Sequence, residues 1–333
     1  MKTSLNFRLK STLGHQHRQG SIIAEIKYIL EKQNINSSIM KLFEFLREYG
    51  NEDIIVEKLQ GERLLKSNSI CDACGEIMIY RKTDKKDGIM FMCKSRSCRK
   101  TKSIRSGTFF ENVRLNLCDS MLLLHLWSKG YSEKLILDDF SFAKQTVVDW
   151  FRFCRELCVD HFDENQVMIG GPGCVIEIDE THVVRRKYNR GRILQAGWLF
   201  GGIMRRSDGQ FHAFFRLIYN RCGDHLKYLI RQHVIPGTHI ITDGWQGYNG
   251  LSDLGYIHTV IIHQENFVYP SDRETNTQQI EATWGSLKRF IRSHGTNKGE
   301  FLVEYICEYI FRRKFENVFR ALIDVIRVKY PIN

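Results

Sequence analysis

The sequence lacks a long apolar run, and none of its runs approaches the roughly 18–20 residues that a membrane-spanning helix needs. Residues 1–20 also lack the apolar core of a secretory signal, and they contain no acidic residue. We therefore expect a protein without membrane spans whose ten cysteines lie in a reducing compartment. In such a compartment, close cysteine pairs bind metal more often than they form disulfides.

Positive charge, by contrast, is abundant. The 333 residues carry a formal net charge of +11, and the sequence pI is near 9.1. The length exceeds that of a usual single domain, and a hydrophobic content of 43% is sufficient for packed cores. The excess of lysine and arginine indicates nucleic acid or another polyanion as the partner, although a basic protein without such a partner has the same composition.

Two close pairs of cysteines flank a predicted β-hairpin. Asp87-Gly88 lies between two apolar runs, which is a hairpin signal, and one cysteine pair lies on each side of it. Four thiolates in this arrangement are typical of a zinc ribbon, although the second pair is spaced more widely than the first. The predicted zinc ligands are Cys71, Cys74, Cys93 and Cys98.

The hairpin and its exit are rich in basic side chains, which favours contact with phosphates. The residues assigned to this contact are Arg99, Lys100 and Arg105. A solvated basic surface has the same pattern. Farther along, the sequence predicts a helix from Leu117 to Trp127 and another over 142–158 with Ser141 as its cap. Two such helices in a basic protein indicate a helix-turn-helix DNA reader, and a small helical bundle without DNA is the alternative.

Three acidic residues fall at the ends of predicted elements of an α/β region. The run from Cys174 to Asp179 predicts a buried strand that ends in acid, and Asp243 ends a second apolar strand. Glu281 lies beside the apolar stripe of a helix over 278–292. Singly, each acid is explained as a turn, a cap or a solvated residue, but together they predict a centre for two Mg²⁺ or Mn²⁺ ions that processes phosphodiesters.

Further residues around these acids have predicted roles. Glu177 shares the strand face of Asp179, so it is either an auxiliary acid or the partner of a buried cation. Two basic groups are predicted to hold DNA phosphates beside the acids. They are Arg185, Arg186 and Lys187 after the first strand, and Lys288, Arg289 and Arg292 on the helix.

The predicted order of elements from residue 170 is three strands, helix, strand, helix, strand, helix. This order predicts an α/β fold, a ribonuclease-H-like catalytic domain with a mixed five-stranded sheet, preceded by the zinc ribbon and the helical region. The predicted domains are a helical lead-in of unknown role (1–64), the zinc ribbon (65–110), the helical DNA-binding region (111–169), the catalytic domain (170–298) and a C-terminal helical segment (299–333).

Three sequence blocks resemble the catalytic blocks of Merlin-type transposases and their bacterial insertion-sequence relatives. The blocks are Ile176–Thr181, Thr242–Tyr248 and Gln279–Arg289. Upstream, Cys93–Cys98 and Ser103–Phe110 resemble the exit of that family's zinc ribbon. The resemblance covers about residues 65–330. It implies a DDE-type cut-and-paste transposase whose acids are Asp179, Asp243 and Glu281, with Lys288 as the basic residue that follows.

The expected function is therefore two-metal cleavage of DNA at terminal inverted repeats, followed by transfer of the 3′-hydroxyl into target DNA. Two alternatives remain: a host-adopted, zinc-dependent DNA-binding protein without catalysis, and a ribonuclease-H-like nuclease or resolvase. Reaction logic and the resemblance imply a homodimer or larger assembly on DNA. Since the substrate is genomic DNA, we expect a nuclear location in a eukaryotic host and otherwise the cytoplasm or nucleoid.

Overall fold

The computed structural model describes residues 37–84, 87–164, 167–183, 197–205, 210–261, 276–295 and 301–332. The chain divides into two compact units, residues 1–122 with 332–333 and residues 123–331. No helix within the described ranges is both long enough and apolar enough to cross a membrane. The domain boundaries predicted from the sequence stay predictions.

In its described residues, the first unit has two helices followed by a four-stranded antiparallel sheet. The helices are α1 (Ser37–Tyr49) and α2 (Ile55–Gly61), and the strands, which pair in chain order, are β1 (Ser69–Ile70), β2 (Ile77–Lys82), β3 (Ile89–Cys93) and β4 (Thr101–Ser103). The predicted hairpin is present as β2 and β3. The core of the first unit includes Leu59, Leu65 and Phe91, which are almost inaccessible to solvent.

Three helices follow the sheet along the chain: α3 (Leu117–Ser128), α4 (Glu133–Asp139) and α5 (Lys144–Glu164). Helix α4 was not predicted, because seven residues are too few to show a clear helical period. It begins after Ser132, whose hydroxyl accepts a hydrogen bond from the backbone N–H of Leu135 at 3.2 Å. Helix α5 begins at Lys144, so the predicted start at Phe142 was wrong.

The second unit is built on a five-stranded mixed sheet, as predicted. Its elements after α5 are β5 (Ile169–Gly170), β6 (Val175–His182), β7 (Trp198–Arg205), β8 (His212–Ile218), α6 (Gly223–His233), β9 (Val234–Ile235), β10 (His239–Asp243), β11 (Ile257–Ile261), α7 (Gln278–Ser293), α8 (Leu302–Lys314) and α9 (Val318–Lys329). The strand order is β11-β10-β6-β7-β8. Strands β6, β7 and β8 are antiparallel neighbours, and β10 and β11 run parallel to β6. Strands β5 and β9 form a separate two-stranded sheet.

Alternation along the strands buries each face of the five-stranded sheet in its own core. Ile176 and Ile178 of β6 pack on the face that carries Leu226 and Ile230 of α6. Leu199 of β7 belongs to the other core, to which α7 and α8 contribute their apolar residues. Glu177 and Asp179, which alternate with the two isoleucines, therefore point to the side of α7.

One difference from the predicted element order concerns a short segment. The helix predicted around Trp245 to Leu254 is replaced by two 3₁₀ turns, at Gln246–Tyr248 and Ser252–Leu254. Gly250, with φ of +84°, lies between the two turns and interrupts a continuous helix, and Gly255, with φ of +85°, ends the second turn. The predicted C-terminal helical segment contains helices α8 and α9.

Candidate active site and candidate zinc site

Asp179 and Asp243 lie on the neighbouring parallel strands β6 and β10. The paired register of these strands ends with Ile241 beside Glu177, and Asp243 and Asp179 each follow two residues later along their strands. Burial raises the pKa of Asp179 to about 7, and the neighbouring charges of Asp243 and Glu180 contribute in the same direction. The structure thus brings two of the three predicted acids near each other. Asp243 ends β10 as predicted, but β6 continues to His182, so the prediction that Asp179 ends its strand was wrong.

Helix α7 is aligned with β6 through a row of three contacts. The backbone N–H of Ile280 donates to Glu177 Oε2 at 2.9 Å. Trp284 Nε1 donates to Asp179 Oδ2 at 2.9 Å, and Lys288 Nζ donates to Thr181 Oγ1 at 2.5 Å. Four helical residues rise by about 6 Å and two strand residues by about 6.7 Å, so the two spacings match and every contact in the row can form.

Asp179 faces no side chain on its other neighbouring strand, because its partner in β7 is Gly201. A Cβ at Gly201 would lie 2.3 Å from Cδ1 of Phe215, so only glycine leaves room for that ring. Phe215 in turn packs on Trp284 at 4.9 Å between ring centroids. The indole that donates to Asp179 is therefore fixed by the packing of the sheet.

Glu177 is fully buried and its carboxylate is committed to two partners. Its Oε1 accepts from Arg205 Nε at 2.6 Å, and its Oε2 accepts from the first turn of α7. Arg205 also donates to Asn276, just before that helix, at 3.0 Å. Burial raises the pKa of Glu177, and these bonds oppose the rise. Of the two roles predicted for Glu177, the structure supports pairing with a buried cation.

The third predicted acid, Glu281, is exposed on the first turn of α7, one residue after Ile280. Its Oε1 accepts a hydrogen bond from Thr277 Oγ1 at 3.2 Å. Among the described residues, Asp179, Asp243 and Glu281 do not form a group with ligand atoms within 4.8 Å of one another. Carboxylate oxygens are nevertheless the ligands that Mg²⁺ and Mn²⁺ prefer. A divalent cation would offset the charges of Asp243 and Glu180, which add to the effect of burial on the pKa of Asp179.

The basic residues of α7 differ in setting. Lys288 is half-buried against Thr181, whereas Arg289 and Arg292 are exposed and available to phosphates. The other predicted group, Arg185, Arg186 and Lys187, lies outside the described residues.

In the first unit, the four predicted cysteines come together. The Sγ atoms of Cys71 and Cys98 are 3.7 Å apart, those of Cys74 and Cys93 are 3.4 Å apart, and all four lie within 4.8 Å of one another. Tetrahedral zinc with Zn–S bonds of about 2.3 Å needs sulfurs about 3.8 Å apart, so these residues fit a zinc ion. A hydrogen bond from the backbone of Ala73 is the largest cause that lowers the pKa of Cys71 to about 7.

The wider spacing of the second cysteine pair is accommodated by a turn. The backbone N–H groups of Cys98 and Arg99 donate to the carbonyl of Ser95 at 3.2 Å and 3.1 Å. Arg99 adopts a left-handed conformation with φ of 49°. This turn brings Cys98 back to the other three thiols.

The three basic residues assigned to phosphate contact in this unit have different environments. Arg99 and Lys100 are exposed. Arg105 is 4% exposed, and its guanidinium pairs with Asp87, with Nε to Oδ2 at 2.7 Å. It also donates to the carbonyl oxygens of Val113 and Leu115 at 2.9 Å. Its hydrogen bonds hold the hairpin turn and the chain that leaves the sheet.

A cluster that the sequence did not reveal lies on the other side of Asp243. Arg221, from the segment between β8 and α6, places its guanidinium carbon 4.8 Å from the ring centroid of Trp198 and 4.2 Å from that of Trp245. Its Nη2 lies 3.4 Å from Oε2 of the buried Glu180. The position of Trp245 two residues after Asp243 was a usable signal, but nothing in the local sequence pointed to Arg221.

Residues 169–314 match the family model of the ISXO2-like transposase domain. The match covers less than half of the chain, contains all three predicted acids, and supports a DDE-type transposase, a class of enzyme that cleaves and transfers DNA. No curated protein matches the chain.

Proposed function

We propose that the protein is a DDE transposase of the Merlin type, with a ribonuclease-H-like catalytic domain. In this proposal it cleaves DNA at terminal inverted repeats and transfers the 3′-hydroxyl into target DNA. The observation that carries the proposal is the placement of Asp179, inside β6, and Asp243, the last residue of the parallel neighbour β10, beside a helix whose first turn presents Glu281. The transposase-domain match over residues 169–314 and the strand order of the mixed sheet support it.

The donor set fits divalent metal. Asp179, Asp243 and Glu281 would hold Mg²⁺ or Mn²⁺, which when bound activates the attacking water or 3′-hydroxyl and stabilises the leaving oxyanion. The protein's own contribution is positional. Trp284 orients one carboxylate oxygen of Asp179. Glu177 accepts hydrogen bonds from Arg205 and from the backbone N–H of Ile280, and these bonds set the position of α7 and therefore of Glu281. The exposed Arg289 and Arg292 supply positive charge for DNA phosphates.

The first unit is proposed to bind the transposon ends. The four-cysteine cluster would hold structural zinc, and the exposed Arg99 and Lys100 lie beside one of its ligands. We propose that α3, α4 and α5 contribute to end recognition in the manner of a helix-turn-helix region, and that the protein acts as a homodimer or larger assembly. Its working place would be wherever genomic DNA lies, the nucleus in a eukaryote and the nucleoid otherwise.

The test is incubation of the purified protein with a labelled duplex that carries the terminal repeat next to its own coding region, in Mg²⁺, Mn²⁺ or EDTA. We expect metal-dependent nicking at the repeat end, and a loss of about 1,000-fold or more in Asp243→Asn. Asp253→Asn, an exposed aspartate of the same unit, is the matched control. Zinc-dependent binding without cleavage in either metal would refute the proposal and favour an adopted DNA-binding protein.

A further inference from the structure

Trp245 is a large aromatic side chain that stays 39% exposed directly beside a proposed catalytic acid. Its backbone N–H donates to Asp243 Oδ1 at 3.0 Å, which ties the start of this turn to the carboxylate. Single exposed apolar residues are common on protein surfaces, so exposure alone indicates nothing. Trp245 differs from such residues because neighbouring residues contact its backbone and its ring and so set its orientation.

Two further contacts hold the indole in place. The guanidinium of Arg221 lies over the ring at 4.2 Å and is itself held between this ring and that of Trp198. The edge of the indole is approached by Gly247, where a Cβ would lie 2.6 Å from Nε1, so that only glycine permits the packing. The backbone of Trp245 is thus tied to Asp243, and its ring has Arg221 over one face and Gly247 at its edge.

The positive charge of Arg221 beside the indole of Trp245 is balanced by a carboxylate. The carboxylate of Glu180 has no exposed side-chain surface and pairs with Arg221, so the cation is retained by the fold rather than offered to DNA. Arg221 thus serves as a support for the indole, in a cation–π arrangement that strengthens when it is partly desolvated.

We propose that Trp245 is a stacking platform for an unpaired nucleobase next to the scissile phosphate, with Arg221 as the positioning residue beneath it. This inference rests on the proposed function, because it places the scissile phosphate at Asp243. A nucleobase is the part of DNA with a flat aromatic face, and it can stack on an indole only after it leaves its base pair. Stacking on Trp245 would compensate for the cost of unpairing at the cleaved end.

The test compares cleavage of two duplexes, one fully paired and one with a single mismatch at the base pair next to the cleavage site. Trp245→Leu keeps an apolar cover over Arg221 but removes the aromatic face, and Trp245→Phe keeps a smaller one. We expect Trp245→Leu to cleave the paired end about 10- to 100-fold more slowly than the wild type, with most of the loss restored on the mismatched end. On the paired end, the cleavage rate of Trp245→Phe should fall between those of the wild type and Trp245→Leu. Tyr228→Ala, another exposed aromatic of this unit, should cleave both ends at the wild-type rate.

An equal loss on both duplexes would mean that Trp245 only supports the fold, and an unchanged rate on both would mean that it has no role; either result overturns the platform. Wild-type cleavage in the same experiment keeps the proposed function intact in those cases, whereas absence of wild-type cleavage overturns both proposals. If Trp245→Leu does not fold, 5-iodouracil at the nucleotide beside the cleavage site can be photo-crosslinked to the Asp179→Asn protein. The platform predicts attachment to the peptide that contains Trp245, and attachment elsewhere contradicts it.

Discussion

The two candidate metal sites of this protein are assembled in opposite ways. The four thiols of the first unit come from a stretch in which Cys71 and Cys98 are 27 positions apart, and their sulfurs already lie within 4.8 Å. The acids of the second unit come from two strands and a helix, where Trp284 and Asp179 meet across 105 positions, and they are not gathered to that distance.

The difference follows from the charge of the ligands. Protonated thiols are neutral and can pack against one another before metal arrives, whereas neighbouring carboxylates repel through a partly desolvated medium. Burial is the main cause that raises the pKa of Asp179 to about 7, and the charges of Asp243 and Glu180 add to the rise. A structural site can therefore be closed by the local fold, while a catalytic site is held open by rigid elements until cations and substrate offset the repulsion.

The largest expected effect separates the two sites by metal removal. A zinc chelator, or Cys93→Ser, should unfold the β2–β3 hairpin, because structural zinc supplies about 10–16 kcal/mol in zinc-dependent peptides. Hydrogen exchange followed by mass spectrometry should show lost protection at Phe91 and retained protection at Ile178. Cys222→Ser, an exposed cysteine, is the control. If Phe91 stayed equally protected after complete zinc removal, the closed-site account would be wrong.

The second prediction compares the effects on stability of Glu177, which binds the first turn of α7, and of Glu281, which lies in that turn. Glu177→Ala leaves Arg205 and a buried N–H without their carboxylate, so it should lower the free energy of unfolding by about 3–5 kcal/mol. Glu281→Gln should change it by less than about 0.5 kcal/mol, because the residue is exposed and glutamine keeps the acceptor for Thr277. Urea unfolding measures both.

For cleavage activity, we expect the larger effect at Glu281 and the smaller one at Glu177. Glu281→Gln should abolish metal-dependent cleavage in a fully folded protein, whereas Glu177→Gln, which keeps the shape of the side chain, should retain measurable cleavage. Similar losses of stability in Glu177→Ala and Glu281→Gln would refute the division between a holding residue and a reacting one.

The smallest expected effect concerns the electrostatic cost at Asp179. Its pKa of about 7 in the folded state exceeds its ordinary value of 3.8, so the folded state binds the proton more tightly than the unfolded state does. The stability from this group is complete below about pH 3.8 and is lost as the pH rises to about 7. At pH 8 without divalent metal, Asp179→Asn should therefore raise the free energy of unfolding by roughly 2 kcal/mol.

The difference in the free energy of unfolding between Asp179→Asn and the wild type should vanish near pH 4. At pH 8, Mg²⁺ should reduce this difference by stabilising the wild type. Thermal unfolding across the pH range tests this, with Asp253→Asn as an exposed control that should be neutral throughout. A destabilising effect of Asp179→Asn at pH 8 in the absence of metal would contradict the raised pKa of Asp179.

Local patterns account for the parts of the structure that the sequence predicted. The hairpin between the cysteine pairs, the five strands and helix α7 each follow from alternation, periodicity or a turn signal within a few residues. Helix α4 and the two 3₁₀ turns after Asp243 escaped prediction because short elements depend on caps and glycine conformations rather than on a period. Arg105 shows the limit of charge counting, because a basic residue that turns inward to Asp87 looks in sequence like its exposed neighbours.

By itself, the sequence determined where the strands lie along the chain and which cysteines lie close enough along it to meet, because those are properties of short segments, although it ended the first strand at Asp179 when β6 continues to His182. Only the tertiary structure decided that Glu177 clamps α7 through Arg205 and Ile280, and that Arg221 lies beneath Trp245. These partners come from different elements, and their contacts exist only once packing has set the distance between a strand and a helix or loop. Local periodicity carries no information about that distance.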